Sequence, residues 1–152
     1  MKIIKWLITI AVVGVIYWFG SDAISPYLKV SSLTPQYVYG DTVTFKIEVI
    51  NFSPRPKEIH LAAADSTDII LLVDGANASK RLEKTEAANT VTIPPLSNAS
   101  FTRTATLTPA SGDKQPQVLI MDESVLAVTA GQHAVRASIG GHTSEPYTFG
   151  VR

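Results

Sequence analysis

The first twenty residues and the rest of the chain differ in how their hydrophobic positions are arranged. The segment 1–20 has lysines at positions 2 and 5, and no charged residue follows until Asp22. As a helix, the sixteen uncharged residues from Trp6 to Ser21 would extend over roughly 24 Å, a little less than a hydrocarbon core of about 30 Å. The pattern predicts a membrane segment.

Two interpretations of this segment stay open, a cleaved signal peptide and an uncleaved signal-anchor. A charged start, a short apolar run and the small residues Ser21 and Ala23 suit cleavage by a signal peptidase. Tyr17, Trp18 and Phe19 instead occupy the place where a signal peptide usually becomes small and polar, and aromatic side chains prefer the membrane interface. We expect residues 1–23 to be an uncleaved anchor.

The charges around the anchor predict its orientation. Lysines precede it and no cationic cluster follows it, which places the N-terminus in the cytoplasm of a single-pass protein of the cell (inner) membrane, with the remaining domain periplasmic or extracellular. Ala11 and Gly14 would let a neighbouring helix approach closely, although a purely lipid-facing helix explains them equally well. The residues assigned to the anchor are Lys2, Lys5, Trp6, Ala11, Gly14, Tyr17, Trp18 and Phe19.

Beyond the anchor, apolar and polar residues alternate with the period of two that is typical of half-buried strands. The clearest case is 42–51, where Val43, Phe45, Ile47 and Val49 share one face. Further strands are predicted at 58–63, 69–73, 90–93, 101–108, 117–121, 125–129, 133–139 and 147–151. Short strands separated by turn residues favour an all-β antiparallel sandwich at 37–152, joined to the anchor by a tether at 24–36.

One hairpin and one charged residue stand out in these strands. Gly140-Gly141 suits a tight turn, which would place His142 opposite Ile139 and His133 opposite Thr148. Arg103 shares the apolar row of the strand 101–108. A buried unpaired charge is too costly to tolerate, so the guanidinium is expected to reach a sheet edge or a carboxylate, or to escape at a strand end or bulge.

The order of turn and strand motifs resembles that of bacterial CARDB-type and related immunoglobulin-like or fibronectin-III-like modules. The matching segments are Tyr39-Gly40-Asp41 before TVTFKIEVIN, IPPLSNAS before FTRTATL, and Ala130-Gly131-Gln132 before HAVRASI. Asn98 stands where these modules usually have glycine, and His133-Ala134 replaces an aromatic residue. The resemblance implies an immunoglobulin-like sandwich with an adhesive or scaffolding role rather than an activity. Together with the anchor, the expected fold is an all-β, immunoglobulin-like antiparallel sandwich preceded by a single N-terminal transmembrane helix.

Composition excludes several classes of function. Thirteen basic and thirteen acidic residues give a net charge of zero, which offers no general attraction for nucleic acid. Because the chain has no cysteine, it forms no disulfide, thiolate metal site or thiol nucleophile. The 152 residues correspond to one compact domain.

The sequence offers little enzymatic chemistry. It contains no GxSxG elbow, glycine-rich phosphate loop or HExxH motif. His60, His133 and His142 fall on separate strands or turns, so we expect ordinary histidines and not a metal site. The segments 65–68 and 74–77 hold oxygen ligands but read as turns rather than calcium loops. We therefore assign no catalytic, cofactor-binding or metal-binding residue and expect no cofactor.

Three sequons, at Asn51, Asn77 and Asn98, are formal glycosylation acceptors whose use the sequence leaves open. The segments 65–89 and 110–130 exceed what such a module needs, and their apolar runs are either core strands or contact surfaces. The candidate partner surface consists of Ile70, Leu72, Arg103, Val118 and Ile120.

Three hypotheses for function follow. The first is a non-enzymatic accessory subunit that is held in the lipid bilayer and stabilises a larger integral membrane protein complex, whether respiratory, photosynthetic, secretory or part of the envelope. The second is an extracytoplasmic binding or adhesion module for a peptide, glycan or protease. The third is a metallochaperone or enzyme.

Overall fold

The computed structural model describes residues 2–20, 24–61, 70–78, 89–109, 117–120, 124–139 and 142–152. These residues form one helix and a set of strands. They are α1 (Lys2–Gly20), β1 (Tyr27–Ser32), β2 (Gln36–Tyr37), β3 (Thr42–Asn51), β4 (Lys57–Leu61), β5 (Ile70–Val73), β6 (Ala76–Asn77), β7 (Asn89–Ile93), β8 (Ser97–Thr108), β9 (Gln117–Ile120), β10 (Ser124–Ala127), β11 (Gly131–Ile139), β12 (His142–Thr143) and β13 (Tyr147–Val151).

Within the described part of the chain, no apolar face of helix α1 packs against other residues. All of its residues from position 3 to 20 are exposed, although nearly all of them are apolar. By length and composition the window Ile3–Gly20 can cross a membrane, a property that membrane anchors share with signal sequences. The described residues therefore do not supply the apolar environment that such a helix needs.

The first sheet has five antiparallel strands in the order β1-β3-β8-β9-β10. Strand β3 lies inside this sheet and buries every second residue, which confirms the predicted inward face of Val43, Phe45, Ile47 and Val49. Strand β8 pairs with β3 along the whole of β3, from Thr42 opposite Thr106 to Asn51 opposite Ser97. It thus begins four residues before the predicted strand 101–108.

The second sheet follows the order β2-β13-β11-β5-β6, with β12 also paired to β11. Its strands pair antiparallel except for β2 and β13, which run parallel over two residue pairs. Strands β4 and β7 form a separate antiparallel ribbon that carries the buried residues Ile59 and Ile93.

Both sheets and the ribbon contribute to one hydrophobic core. Phe45 from the first sheet meets Phe149 from the second with ring centroids 5.4 Å apart and an edge-to-face geometry, which is favourable for aromatic pairs. The ring of Tyr37 also lies near Phe149, with centroids 6.4 Å apart and an edge-to-face geometry. We call the described strands and their connections, from Tyr27 onward, the β domain.

The segment 24–36, predicted as a tether that leads into a first, poorly regular strand, contains strand β1. Tyr27–Ser32 pairs with β3 over six residue pairs. Leu28 and Val30 supply the buried face of this strand. Only six residues therefore separate Gly20 from the domain, and these could extend over at most about 20 to 25 Å.

The pairing predicted from a hairpin at Gly140-Gly141 is confirmed for His142 but not for His133. Its two glycines lie outside the described residues, but Ile139 is opposite His142, as expected. His133 is opposite Phe149, not Thr148. The prediction for His133 is therefore wrong by one residue.

An extra residue before β13 accounts for this shift. The N–H of Ser144 donates to the carbonyl of Ala137, whereas Tyr147 pairs with Val135, so three residue steps on one strand face two steps on the other. Pro146, which has no N–H to donate to a ladder, lies in this short insertion. A bulge of this kind shifts the register by one residue without exchanging the inward and outward faces of the later strand.

Candidate functional site

The end of helix α1 contacts one end of the β domain. The hydroxyl of Tyr17 donates a hydrogen bond to the backbone carbonyl of Phe52, in the loop 52–56 between β3 and β4. The guanidinium of Arg55, in the same loop, lies 5.1 Å from the centroid of the Trp18 ring, within the range of a cation–π contact. Two of the three predicted interfacial aromatic residues are therefore bound to the domain.

A buried amide holds the loop 52–56 in its conformation. Asn51 is the last residue of β3 and is buried. Its Nδ2 group donates to the carbonyls of Arg55, Ile93 and Pro94 at 2.7, 3.2 and 3.0 Å, and its Oδ1 atom accepts the N–H of Ser53 at 2.9 Å. Because the amide joins the loop to the end of β7, it fixes the loop that meets the helix.

Ser53 extends this network to the turn between β7 and β8. It is fully buried, and its hydroxyl accepts the N–H of Arg55 at 3.0 Å. Its carbonyl accepts the N–H of Leu96 at 3.2 Å. The loop 52–56 and the turn 94–96 are therefore held side by side.

This end of the domain presents three large apolar side chains, Tyr27, Phe52 and Leu96, which we call the apolar tip. The rings of Tyr27 and Phe52 lie 6.2 Å apart. Leu96 is 70% exposed and has a φ of 50°, a conformation that is unfavourable for a leucine. Phe52, Leu96 and Asn51 are among the residues that line an open cleft at this end.

The other anchor residues make no described contact with the β domain. Lys5, Trp6, Ala11, Gly14 and Phe19 are exposed, and a Cβ atom added at Gly14 would meet nothing within 4 Å. The backbone of Lys2 lies at the start of the helix, while its side chain is outside the description. The small residues are therefore accessible to lipid or to another helix.

The residues of the predicted partner surface belong to two different sheets. Ile70 and Leu72 are half-buried on β5 of the second sheet, whereas Val118 and Ile120 belong to β9 of the first. Only the backbone positions of the latter two are described.

Arg103 corrects this surface most directly, because it is fully buried. It lies opposite Phe45 on the inward row of β8, among positions that alternate regularly with exposed threonines. It is engaged in interactions of its own and does not face solvent. Arg103 therefore occupies a core position within the apolar row. Its side chain does not reach solvent at a strand end or through a bulge.

A second polar cluster joins the β5–β6 turn to β11. Nδ1 of His133 lies 2.6 Å from Oδ2 of Asp74, and Nε2 donates to the carbonyl of Thr129 at 2.7 Å. Oδ1 of Asp74 accepts the N–H of Ala134 at 2.9 Å. Burial alone raises the pKa of Asp74, but the hydrogen bonds from His133 and Ala134 outweigh it and lower the pKa below its usual range.

The geometry of this cluster is that of a structural turn. Asp74 and Gly75 both have positive φ, 50° and 81°, as a two-residue hairpin turn requires. His142 pairs with Ile139, away from His133, and the side chain of His60 lies outside the description. Among the described residues, no three histidine, aspartate or glutamate side chains come together as metal ligands. The predicted turn 65–68 also lies outside them.

The structure shows that the sequon at Asn51, whose use the sequence leaves open, belongs to the buried network. Its amide nitrogen is buried and donates to backbone carbonyls, so the folded domain does not present it to a glycosyltransferase. The alternation of β3 already places Asn51 on the inward row, and Phe52 then falls outside that strand. Asn98 is exposed, and the side chain of Asn77 is not described.

Comparison with known proteins gives a likeness of fold. No protein-family model and no curated protein matches the sequence. The chain is similar to the alkylpurine DNA glycosylase AlkC of Pseudomonas fluorescens bound to DNA containing an abasic site analog, at 11% identity and a TM-score of 0.50. The match covers 91% of this chain but only 35% of the glycosylase.

Two further structures are similar. The CARDB domain of a Pyrococcus furiosus protein, in complex with di-metal ions, is 9% identical with a TM-score of 0.49, covering 84% of this chain and 92% of that domain. The sporulation control protein Spo0M of Bacillus subtilis is 15% identical with a TM-score of 0.44, covering 85% and 50%. A CARDB domain is thus among the structures that are similar to this chain.

Proposed function

We propose that this chain is a non-enzymatic, single-pass accessory subunit whose immunoglobulin-like β-sandwich docks on the extracytoplasmic face of a larger membrane protein complex. In this proposal α1 crosses the cell (inner) membrane with its N-terminus in the cytoplasm. The supporting observation is the junction of the helix with the β domain, where Tyr17 binds the carbonyl of Phe52 and Trp18 stacks near Arg55.

This junction suits a docking role because it limits where the domain can go. The six residues between Gly20 and Tyr27 keep the entry to the domain within about 20 to 25 Å of the helix end. The contacts of Tyr17 and Trp18 restrict the position of the domain further, because they hold the loop 52–56 beside these two aromatic residues. A partner of the domain would then have to be located at the membrane surface.

The helix supports the same proposal because its surface is largely apolar and, before Tyr17, no bond to the other described residues is found apart from those within the helix. Ala11 and Gly14 are three residues apart and therefore lie on one face, where another transmembrane helix can approach closely. Val12 is about 200° around the helix from Gly14, on a different face.

The docking role is tested by extracting the full chain from the membranes of its source organism in a mild detergent and measuring the native mass. We expect a particle well above the 16.4 kDa of the single chain, containing integral membrane proteins. A free monomer would contradict the accessory role and favour an independent binding module. Gly14→Leu is expected to weaken the association, while Val12→Leu serves as the control on another face.

The orientation is tested separately by single-cysteine labelling, which is clean because the chain contains no cysteine. Leu33→Cys, at a position 74% exposed in the β domain, should react with a membrane-impermeant maleimide in intact cells or spheroplasts. Reaction only after lysis would place the domain in the cytoplasm and overturn the proposed orientation.

A further inference from the structure

The apolar tip is exposed at the end of the β domain that contacts helix α1. Exposure alone does not identify a contact surface, because Leu33 and Val38 at the opposite end are exposed to 74% and 50%, compared with 70% for Leu96 and 52% for Phe52. Strand β3 separates the two ends by about 30 Å, from its ten residues at roughly 3.3 Å each. Position and conformation distinguish the tip from the far end.

The position of Phe52 is fixed by the hydrogen bond from Tyr17. Tyrosine and tryptophan at the end of a membrane helix sit at headgroup level, with the hydroxyl toward water. A backbone carbonyl bound to that hydroxyl lies at the same level. The side chain of Phe52, which is half exposed, is therefore within one side-chain length of the lipid interface. Leu96 is joined to the same loop through the carbonyl of Ser53.

The conformation of Leu96 provides an independent argument. A leucine with positive φ is strained by about 1 to 2 kcal/mol relative to a right-handed conformation. In the β domain this side chain packs on little, since it is 70% exposed. A glycine or asparagine would adopt the same turn with less strain. A strained apolar side chain held out by a rigid turn is suited to a surface outside the chain.

We propose that Phe52 and Leu96 insert into the interfacial region of the outer leaflet and seat the β domain on the phospholipid bilayer. The inference rests on the proposed anchoring of α1 in the membrane. Arg55 and Lys57 lie at the same end of the domain, and their positive charges suit the level of lipid phosphates. The domain thereby has a defined orientation and does not rotate freely on its link.

The test places single cysteines in the full chain at Phe52 and Leu96, with Leu33 and Val38 as controls of matched exposure. Each variant is labelled with an environment-sensitive fluorophore and reconstituted into phosphatidylcholine–phosphatidylglycerol vesicles. A spin label on the lipid near the headgroup serves as the quencher. Flotation of the vesicles measures anchoring in the same samples.

We expect quenching at positions 52 and 96 to exceed that at 33 and 38 by at least about threefold, with emission shifted to shorter wavelength. Equal, weak quenching at all four positions in floating protein would overturn the insertion while leaving the anchor intact. A blue shift at 96 without lipid quenching would also overturn it, because protein would then cover the tip. Protein that does not float would refute the anchoring itself.

Discussion

Replacing Asn51 with alanine is expected to destabilise the β domain strongly, although the residue looks like a surface sequon. The substitution removes an Nδ2 group that three carbonyls share and an Oδ1 acceptor for the N–H of Ser53. A net hydrogen bond contributes about 1 kcal/mol, and a buried group left without a partner costs about 1 to 3 kcal/mol. We therefore expect a loss of roughly 3 kcal/mol in the free energy of unfolding.

The assay is thermal unfolding of the full chain in detergent micelles, followed by the circular dichroism of the strands. For a domain of this size, about 3 kcal/mol corresponds to a decrease in Tm of roughly 10 °C. Asn98→Ala is the matched control, because Asn98 is an exposed asparagine on the paired strand and also belongs to a sequon. It should change Tm by no more than about 2 °C.

A second variant at this position separates the hydrogen-bond argument from simple loss of volume. Asn51→Asp keeps the shape but turns an oxygen toward the carbonyls of Arg55, Ile93 and Pro94. An ionised carboxylate there is repelled and poorly solvated, which raises its pKa in the folded state. This variant should be least stable at neutral pH and should recover as the pH falls. An Asn51→Ala variant as stable as Asn98→Ala would refute the reasoning.

Three further predictions concern other parts of the domain. Arg103→Ala should cost about 2 to 5 kcal/mol in stability, because it empties a large, fully buried position in the core, whereas Thr104→Ala on the exposed face should cost under about 0.5 kcal/mol in the same melts. Because the pKa of Asp74 is lowered in the folded state, its ionised carboxylate stabilises the fold. This contribution to the free energy of unfolding is complete above the unfolded-state pKa of about 4 and is lost as the pH falls through the folded-state pKa. Asp74→Asn should remove this loss of stability at low pH, which stays below about 1 kcal/mol because the carboxylate is half exposed. If the variant has the same dependence of stability on pH as the unchanged chain, the contact with His133 is contradicted. Leu96→Asn should raise Tm by a few degrees by relieving the positive φ, and a decrease would show that Leu96 packs on the domain.

Local alternation predicted the strands whose two faces have different surroundings. Strand β3 is the best example, because Val43, Phe45 and Ile47 alternate with Thr44 and Lys46 across a sheet buried on one side. Strand β8 was predicted too short because small polar residues at its start read as a turn, although they pair with the end of β3. Pairing partners, rather than propensity, determine such boundaries.

Features that depend on distant residues were not accessible to the same reasoning. Asp74 and His133 are 59 positions apart, and only the pairing of β5 with β11 brings their strands together. The extra residue near Pro146 changes the register of β13 without any change in its alternation. Arg103 was recognised as anomalous, but its burial depends on surroundings that the strand itself does not encode.

The junction between helix and domain determines which surfaces a membrane partner can reach. If Tyr17 and Trp18 lie at headgroup level, the loop 52–56 lies there too, and β3 runs from the far end of the domain to this loop. Residues near Thr42 would then stand at most about 30 Å above the interface, the length of β3. A partner with short extramembrane loops could touch only the tip and the lower ends of the strands. Crosslinks from position 38 or 41 to a partner would therefore require that partner to project by a similar distance, and their absence alongside crosslinks from position 55 would indicate a low-lying one.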